Sequence, residues 1–197
     1  MKFIFILLLI IPFGIYAQFQ DDFSDGNFTN NPEWAGETAK FRVEAEELQL
    51  YDTINYDSDT APPPEPAWLT TQSEAINDAS WEFLARFEFN PSGSNYADVY
   101  LVSNTQNING EASAYFVKLG NTDDEVSLYR KDGNTTTKII DGTDKRLDSN
   151  LVNVRVKVTR DHSGNWALYS DTLGSFDYFL EGNAFDNTYI SSAYFGV

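Results

Sequence analysis

The chain has 197 residues, 13 Lys and Arg against 30 Asp and Glu for a formal charge of −17, and no cysteine. Such acidity repels phosphate backbones and anionic membranes, and no basic cluster offsets it, so nucleic acid is a poor partner. Disulfide staples, thiolate metal sites and cysteine nucleophiles are excluded, and stability rests on packing, at roughly 25 cal/mol per Å² of apolar surface buried.

Met1-Lys2 and the apolar run Phe3 to Phe13, ending near Ala17, have the form of a secretory signal peptide. The run is short for a membrane-spanning helix, and no later segment approaches ~20 apolar residues. The expected organisation is a signal peptide over 1–17 and one domain over 18–197, secreted or at the cell surface, with no membrane insertion after cleavage.

Period-two alternation marks candidate strands at about 41–51, 67–72, 80–89, 96–103, 113–119, 125–131, 136–140, 152–160, 166–171, 177–181 and 192–197. In the third run Trp81, Phe83, Ala85, Phe87 and Phe89 share a face opposite Glu82, Arg86 and Glu88, and Leu84 alone is out of phase. Val152, Val154, Val156 and Val158 alternate with polar residues until Asp161-His162-Ser163-Gly164-Asn165, after which Trp166-Ala167-Leu168 resumes: a hairpin with a glycine for the left-handed position. Breakers separate the other runs, and no long segment has helical periodicity. The insertion from Asp57 to Pro66, with three consecutive prolines, reads as a stiff surface loop. The pattern defines an all-β, antiparallel two-sheet sandwich or jelly roll.

The opening Asp21-Asp22-Phe23-Ser24-Asp25-Gly26-Asn27-Phe28 with Asn31-Pro32-Glu33-Trp34 resembles that of secreted concanavalin A-like (laminin-G-like) jelly rolls. So do Phe116 to Gly120, Val126 to Arg130 and the hairpin at 154–169. The likeness covers the whole of 18–197 and is nearest to N-terminal modules of multidomain surface proteins of Gram-negative bacteria, some with a lamin-tail domain downstream. It implies a non-catalytic module, with glycan binding in related sandwiches. It also implies a further strand after Ser192 to Val197, so the chain is expected to lack its C-terminal closing strand and to leave a strand near Asp21–Phe23 without a neighbour, promoting self-association.

Catalysis finds little support. Glu44 and Glu46 could share a strand face, but the remaining carboxylates of a retaining glycosidase pattern are missing. The single histidine, His162, sits in a turn beside Asp161, which does not arrange a relay. Calcium is the one cofactor the acidic runs could hold, with Asp21, Asp22 and Asp25 ahead of 121–125 and 141–144, although Asp in turns has conformational reasons to be there. If Val99, Leu101, Val117, Leu119, Val126, Leu128, Trp166 and Leu168 point inward, then Tyr96, Tyr100, Phe116, Tyr129 and Tyr169 face the other way, beside Arg86, Asp98 and Arg155. Such a row could stack on extracellular glycan. It could equally pack under loops or form cross-strand pairs. Trp68, beside the prolines, is a further loop candidate. The expected function is a glycan-binding recognition or adhesion module. The alternatives are a spacer with no ligand and a degenerate glycoside hydrolase or lyase.

Overall fold

A computed structural model describes residues 19–51 and 66–197. The expected signal peptide and the three-proline run lie outside the described residues. Among the described residues no helix is long and apolar enough to cross a membrane.

The strands in chain order are β1 (Ala35–Gly36), β2 (Phe41–Glu44), β3 (Glu47–Leu50), β4 (Leu69–Gln72), β5 (Ala79–Phe87), β6 (Ala97–Ser103) and β7 (Ala112–Gly120). They continue with β8 (Glu125–Gly133), β9 (Thr135–Ile140), β10 (Val152–Arg160), β11 (Asn165–Asp171), β12 (Phe179–Phe185) and β13 (Tyr194–Gly196). A seven-stranded sheet runs β1-β4-β13-β6-β7-β8-β9, and a four-stranded sheet runs β12-β11-β10-β5. All neighbours are antiparallel, and β2–β3 forms a separate hairpin.

The expected alternation builds the core. Val152, Val154, Val156 and Val158 of β10 are buried with Trp81 and Phe87 of β5, and meet Val117, Leu119, Val126 and Leu128 of the larger sheet. Fully burying each such side chain contributes about 1.5–3 kcal/mol. Trp81 stacks on Trp166 at 5.7 Å, and Tyr115 closes on Trp166 at 4.6 Å across the sandwich. The hairpin between β10 and β11 turns as its glycine predicts: Gly164 has φ 93°, and a Cβ there would stand 2.8 Å from the Asn187 side chain.

Several expectations are corrected. The run 41–51 is a hairpin, because Ala45 and Glu46 take φ of 53° and 62° and turn the chain. The strand expected at 177–181 lies at Phe179–Phe185, and the short β1 had no signal in the sequence. No strand forms at Asp21–Phe23. Asp21 Oδ1 accepts the Phe23 N–H at 2.9 Å in a turn, with Phe23 at φ 55°. The run at 192–197 becomes β13, which lies inside its sheet, paired with β4 and β6.

Charged ties hold the connections that disulfides do not. Arg160, 1% exposed, donates to the Ile76 and Tyr189 carbonyls and to the Asn77 and Asn187 side chains, binding two loops to the end of β10. Buried Asp186 accepts the Tyr115 hydroxyl at 2.6 Å and the Thr188 N–H, and pairs with Arg130. Burial pulls the Asp186 carboxyl upward, but these donors outweigh it and hold the group below the ordinary range. Tyr189 and Arg130 lower Asp132 likewise. The Tyr115 hydroxyl is pushed up to about 12, by burial and then by Asp186.

Two outcomes follow from these ties. Arg160→Leu orphans buried acceptors and is expected to cost about 3 kcal/mol, read as a lower urea midpoint at unchanged slope. The lowered folded-state values of Asp186 and Asp132 mean that their contribution is complete above the unfolded carboxylate value of about 3.9 and disappears as pH falls through the folded values. Urea midpoints should therefore fall on acidification below about pH 4, less steeply in Asp186→Asn; parallel acid limbs in the two proteins would contradict this.

Candidate functional site

The aromatic row forms on the outer face of the seven-stranded sheet, on the adjacent strands β6, β7 and β8. Tyr100 of β6 pairs in register with Phe116 of β7, and Phe116 with Tyr129 of β8. The rings stack at 5.0 Å and 5.3 Å with interplanar angles of 21° and 14°. Those separations are close to the spacing of the strands themselves, so the rings stand upright on the sheet and hide their faces in one another. Phe116 is 2% exposed, and Tyr100 and Tyr129 are buried as well. The row is a cross-strand ladder, worth about 0.5–1.5 kcal/mol per ring pair beyond its buried area.

A roof covers this ladder. The loop 104–111 folds back over the sheet, and buried Ile108 joins Tyr100, Phe116, Tyr129, Ala112 and Ala114 in one cluster, with Trp68 packed against it. Lys131 Nζ donates to the Ile108 carbonyl at 2.8 Å and lies 5.7 Å from the Tyr100 ring centre. Thr70 Oγ1 holds the Gln106 carbonyl at 3.3 Å. Gly196 is required beneath: a Cβ there would meet Thr70 Cγ2 at 2.6 Å and Ile108 Cδ1 at 3.1 Å.

Beyond the roof the same face turns polar. Lys118 Nζ sits 2.8 Å from Asp98 Oδ1 and 3.3 Å from the centre of the Tyr96 ring. Burial raises the Asp98 carboxyl despite Lys118, and lowers the Lys131 ammonium against Asp98. Lys138 bridges buried Glu125 and Asp141, and Asn121 donates to the Tyr129 hydroxyl at 3.1 Å. Tyr96, 46% exposed, is the member of the expected row that solvent reaches best.

Tyr169 and Arg86 do not join the row. They lie on β11 and β5, in the four-stranded sheet, because alternation fixes the face of a residue but not its sheet. The acidic opening is likewise engaged locally. Asp21 Oδ2 accepts the Trp34 indole N–H at 2.8 Å, Asp22 accepts the Ser24 N–H, and Asp25 holds the backbone and side chain of Asn27. Asp21, Asp22 and Asp25 line one open recess of about 280 Å³ with Gln20, Ser24 and Asn31, but among the described residues no group of three or more His, Asp or Glu is placed to hold a metal ion. Glu44 and Glu46 do not share a strand, since β2 ends at Glu44. His162 is exposed and 3.4 Å from Asp78.

Sequence reasoning missed an open recess of about 460 Å³ where β4 ends and β13 begins, lined by Gln72, Ser73, Glu74, Ser192, Ala193 and Tyr194. Gln72 and Tyr194 are register partners, and Tyr194 alternates with the core residue Phe195, which places it on the ladder's face of the sheet. The recess offers one ring, an amide, a carboxylate and hydroxyls. Only the aromatic ending Tyr194-Phe195 could have signalled it.

The fold is similar to that of the exoplasmic/lumenal domain of VIP36 in its Ca2+/Man-bound form, with a TM-score of 0.53 and 9% identity over 83% of this chain and 73% of that one. No family model matches the chain, and no curated protein matches it. The chain is a concanavalin A-like, antiparallel β-sandwich.

The roof generates a direct test. Ile108→Ala removes the buried cover and is expected to cost about 2–4 kcal/mol. It should also raise the accessibility of Tyr100 to a surface-modifying reagent, detected by mass spectrometry; unchanged stability and labelling would show that the ladder does not need its roof.

Proposed function

We propose that this chain is a non-catalytic carbohydrate-recognition module, exported by its N-terminal segment and acting outside the cell as part of a surface protein. The observation that carries this reading is the recess on the seven-stranded sheet. Its volume of about 460 Å³ falls within the usual range of ligand sites. It combines a tyrosine ring with Gln72, Glu74 and Ser192, side chains that exchange hydrogen bonds with hydroxyl groups. A sugar presents that same mixture, an apolar ring face rimmed by hydroxyls. The Ca2+/Man-bound form of the VIP36 domain adds support through the shared fold. Glycan stacking on the ladder rings is not retained, because Tyr100, Phe116 and Tyr129 offer edges and not faces. Tyr96, with Asp98 and Lys118, remains a second contact region on the same sheet.

A spacer without a ligand is the other reading, and the covered ladder favours it. A glycan array probed with the purified domain, with and without calcium, separates the two. The expected result is calcium-independent binding of a neutral saccharide that Tyr194→Ala weakens by about tenfold, the equivalent of ~1.4 kcal/mol. The array should leave Ile108→Ala bound at the native level. A blank array in both conditions would support the spacer.

A further inference from the structure

Open strand edges invite pairing with another chain, and natural sheets blunt them by brevity, bulges, glycine or charge. Among the described residues the two large sheets end at β1, β9, β12 and β5. β1 has two residues. β9 is joined to β8 through a register shift at Leu128/Tyr129 and carries Lys138. β12 is joined to β11 through a shift at Leu168/Tyr169 and contains Gly182. β5 is neither short, nor shifted in register, nor interrupted by glycine, and its two charges, Glu82 and Arg86, are of opposite sign. Its nine residues pair with β10 from end to end without a shift. It contains no glycine or proline, and on its outer face Leu84, 49% exposed, stands between Glu82 and Arg86.

That face is self-complementary. We propose that β5 pairs antiparallel with β5 of a second copy of this chain about a two-fold axis at Leu84, making one continuous sheet from two four-stranded sheets. In this register Leu84 meets Leu84, and Glu82 of each copy faces Arg86 of the other on both sides of the axis. Ser80 stands opposite Glu88, and on the core side Trp81 faces Phe87 and Phe83 faces Ala85. An axis moved one residue back to Phe83 would set Glu82 against Leu84. An axis moved forward to Ala85 would set Glu82 against Glu88. The Leu84 register alone matches both charges. Within one chain Arg86 contacts Glu88 at 2.9 Å and Glu47 at 3.8 Å, and Glu82 contacts Arg155 at 3.5 Å. All are partly exposed pairs, which exchange partners at little cost. Such an isologous contact closes on itself and leaves no free β5 edge to propagate.

Sedimentation equilibrium of the purified chain over a concentration series, near physiological salt, tests this. The native chain should dimerise. Arg86→Glu puts like charges opposite each other twice in the interface and should weaken the dimer by about tenfold or more. The double variant Glu82→Arg/Arg86→Glu restores opposite charges and should recover it, with urea midpoints showing that both variants fold. A native chain that stays monomeric would falsify the proposal. So would a dimer indifferent to Arg86→Glu, or a double variant no stronger than the single.

Discussion

The contact between the two sheets, where Trp166 lies between Trp81 and Tyr115, fixes the relation of every other part. Trp81 and Trp166 come from the smaller sheet, Tyr115 from the larger one. Because side chains alternate along a strand, seating Tyr115 and Val117 inward forces Phe116 outward, and register carries the same choice to Tyr100 and Tyr129. The ladder is thus a consequence of the core. An outward aromatic row exposed to water would lose the benefit of burial, and the loop 104–111 supplies the cover. Strands β6, β7 and β8 are consequently buried on both faces at the ladder, and the polar contacts of Asp98, Lys118 and Glu125 lie farther along the same strands.

Alternation made most of the fold legible: the valines of β10, the aromatic face of β5 and the Gly164 turn can all be read directly. What covers a face cannot be read that way. Ile108 stands in Asn104-Thr105-Gln106-Asn107-Ile108-Asn109-Gly110, which reads as a polar connection. The available signal was one isoleucine in that run, together with Ala112 and Ala114 at ladder-face positions of β7, where small side chains leave room for something above. Tyr169 and Arg86 show the same limit, since outward on one sheet is the opposite side of the molecule from outward on the other. The Ala45–Glu46 turn was hidden for a different reason. Neither residue favours positive φ, so the turn depends on the pairing of β2 with β3 and not on its own composition.

The acidic opening illustrates a further ambiguity. A carboxylate that closes a turn and one that binds a cation look alike in sequence. Coordinates separate them by what each oxygen touches. Asp21 receives Phe23 N–H on one oxygen and the Trp34 indole on the other, so its role is to set the entry of the chain beneath Phe195. Asp22 and Asp25 accept from residues two positions on. The Phe19, Phe23, Trp34 and Phe195 rings then join the first described residues to β13. A motif that resembled a family opening is explained by packing.

Charge closes the argument about partners. The chain has 13 Lys and Arg in all, and many of them are engaged internally. Arg160 ties two loops, Arg130 and Arg146 pair with buried Asp186 and Glu181, and Lys131 holds the roof. Lys118 and Lys138 pair with Asp98 and Glu125. A chain without disulfides uses these cations where connections must be fixed, and the surface that remains is dominated by Asp and Glu. A polyanion approaching such a surface meets repulsion that lengthens in reach as salt is lowered. A neutral, hydroxyl-rich ligand meets none. The same distribution gives the contact between Glu82 and Arg86 its weight, because an accessible cation is scarce on this protein and Arg86 lies on β5, the longest regular open edge among the described residues.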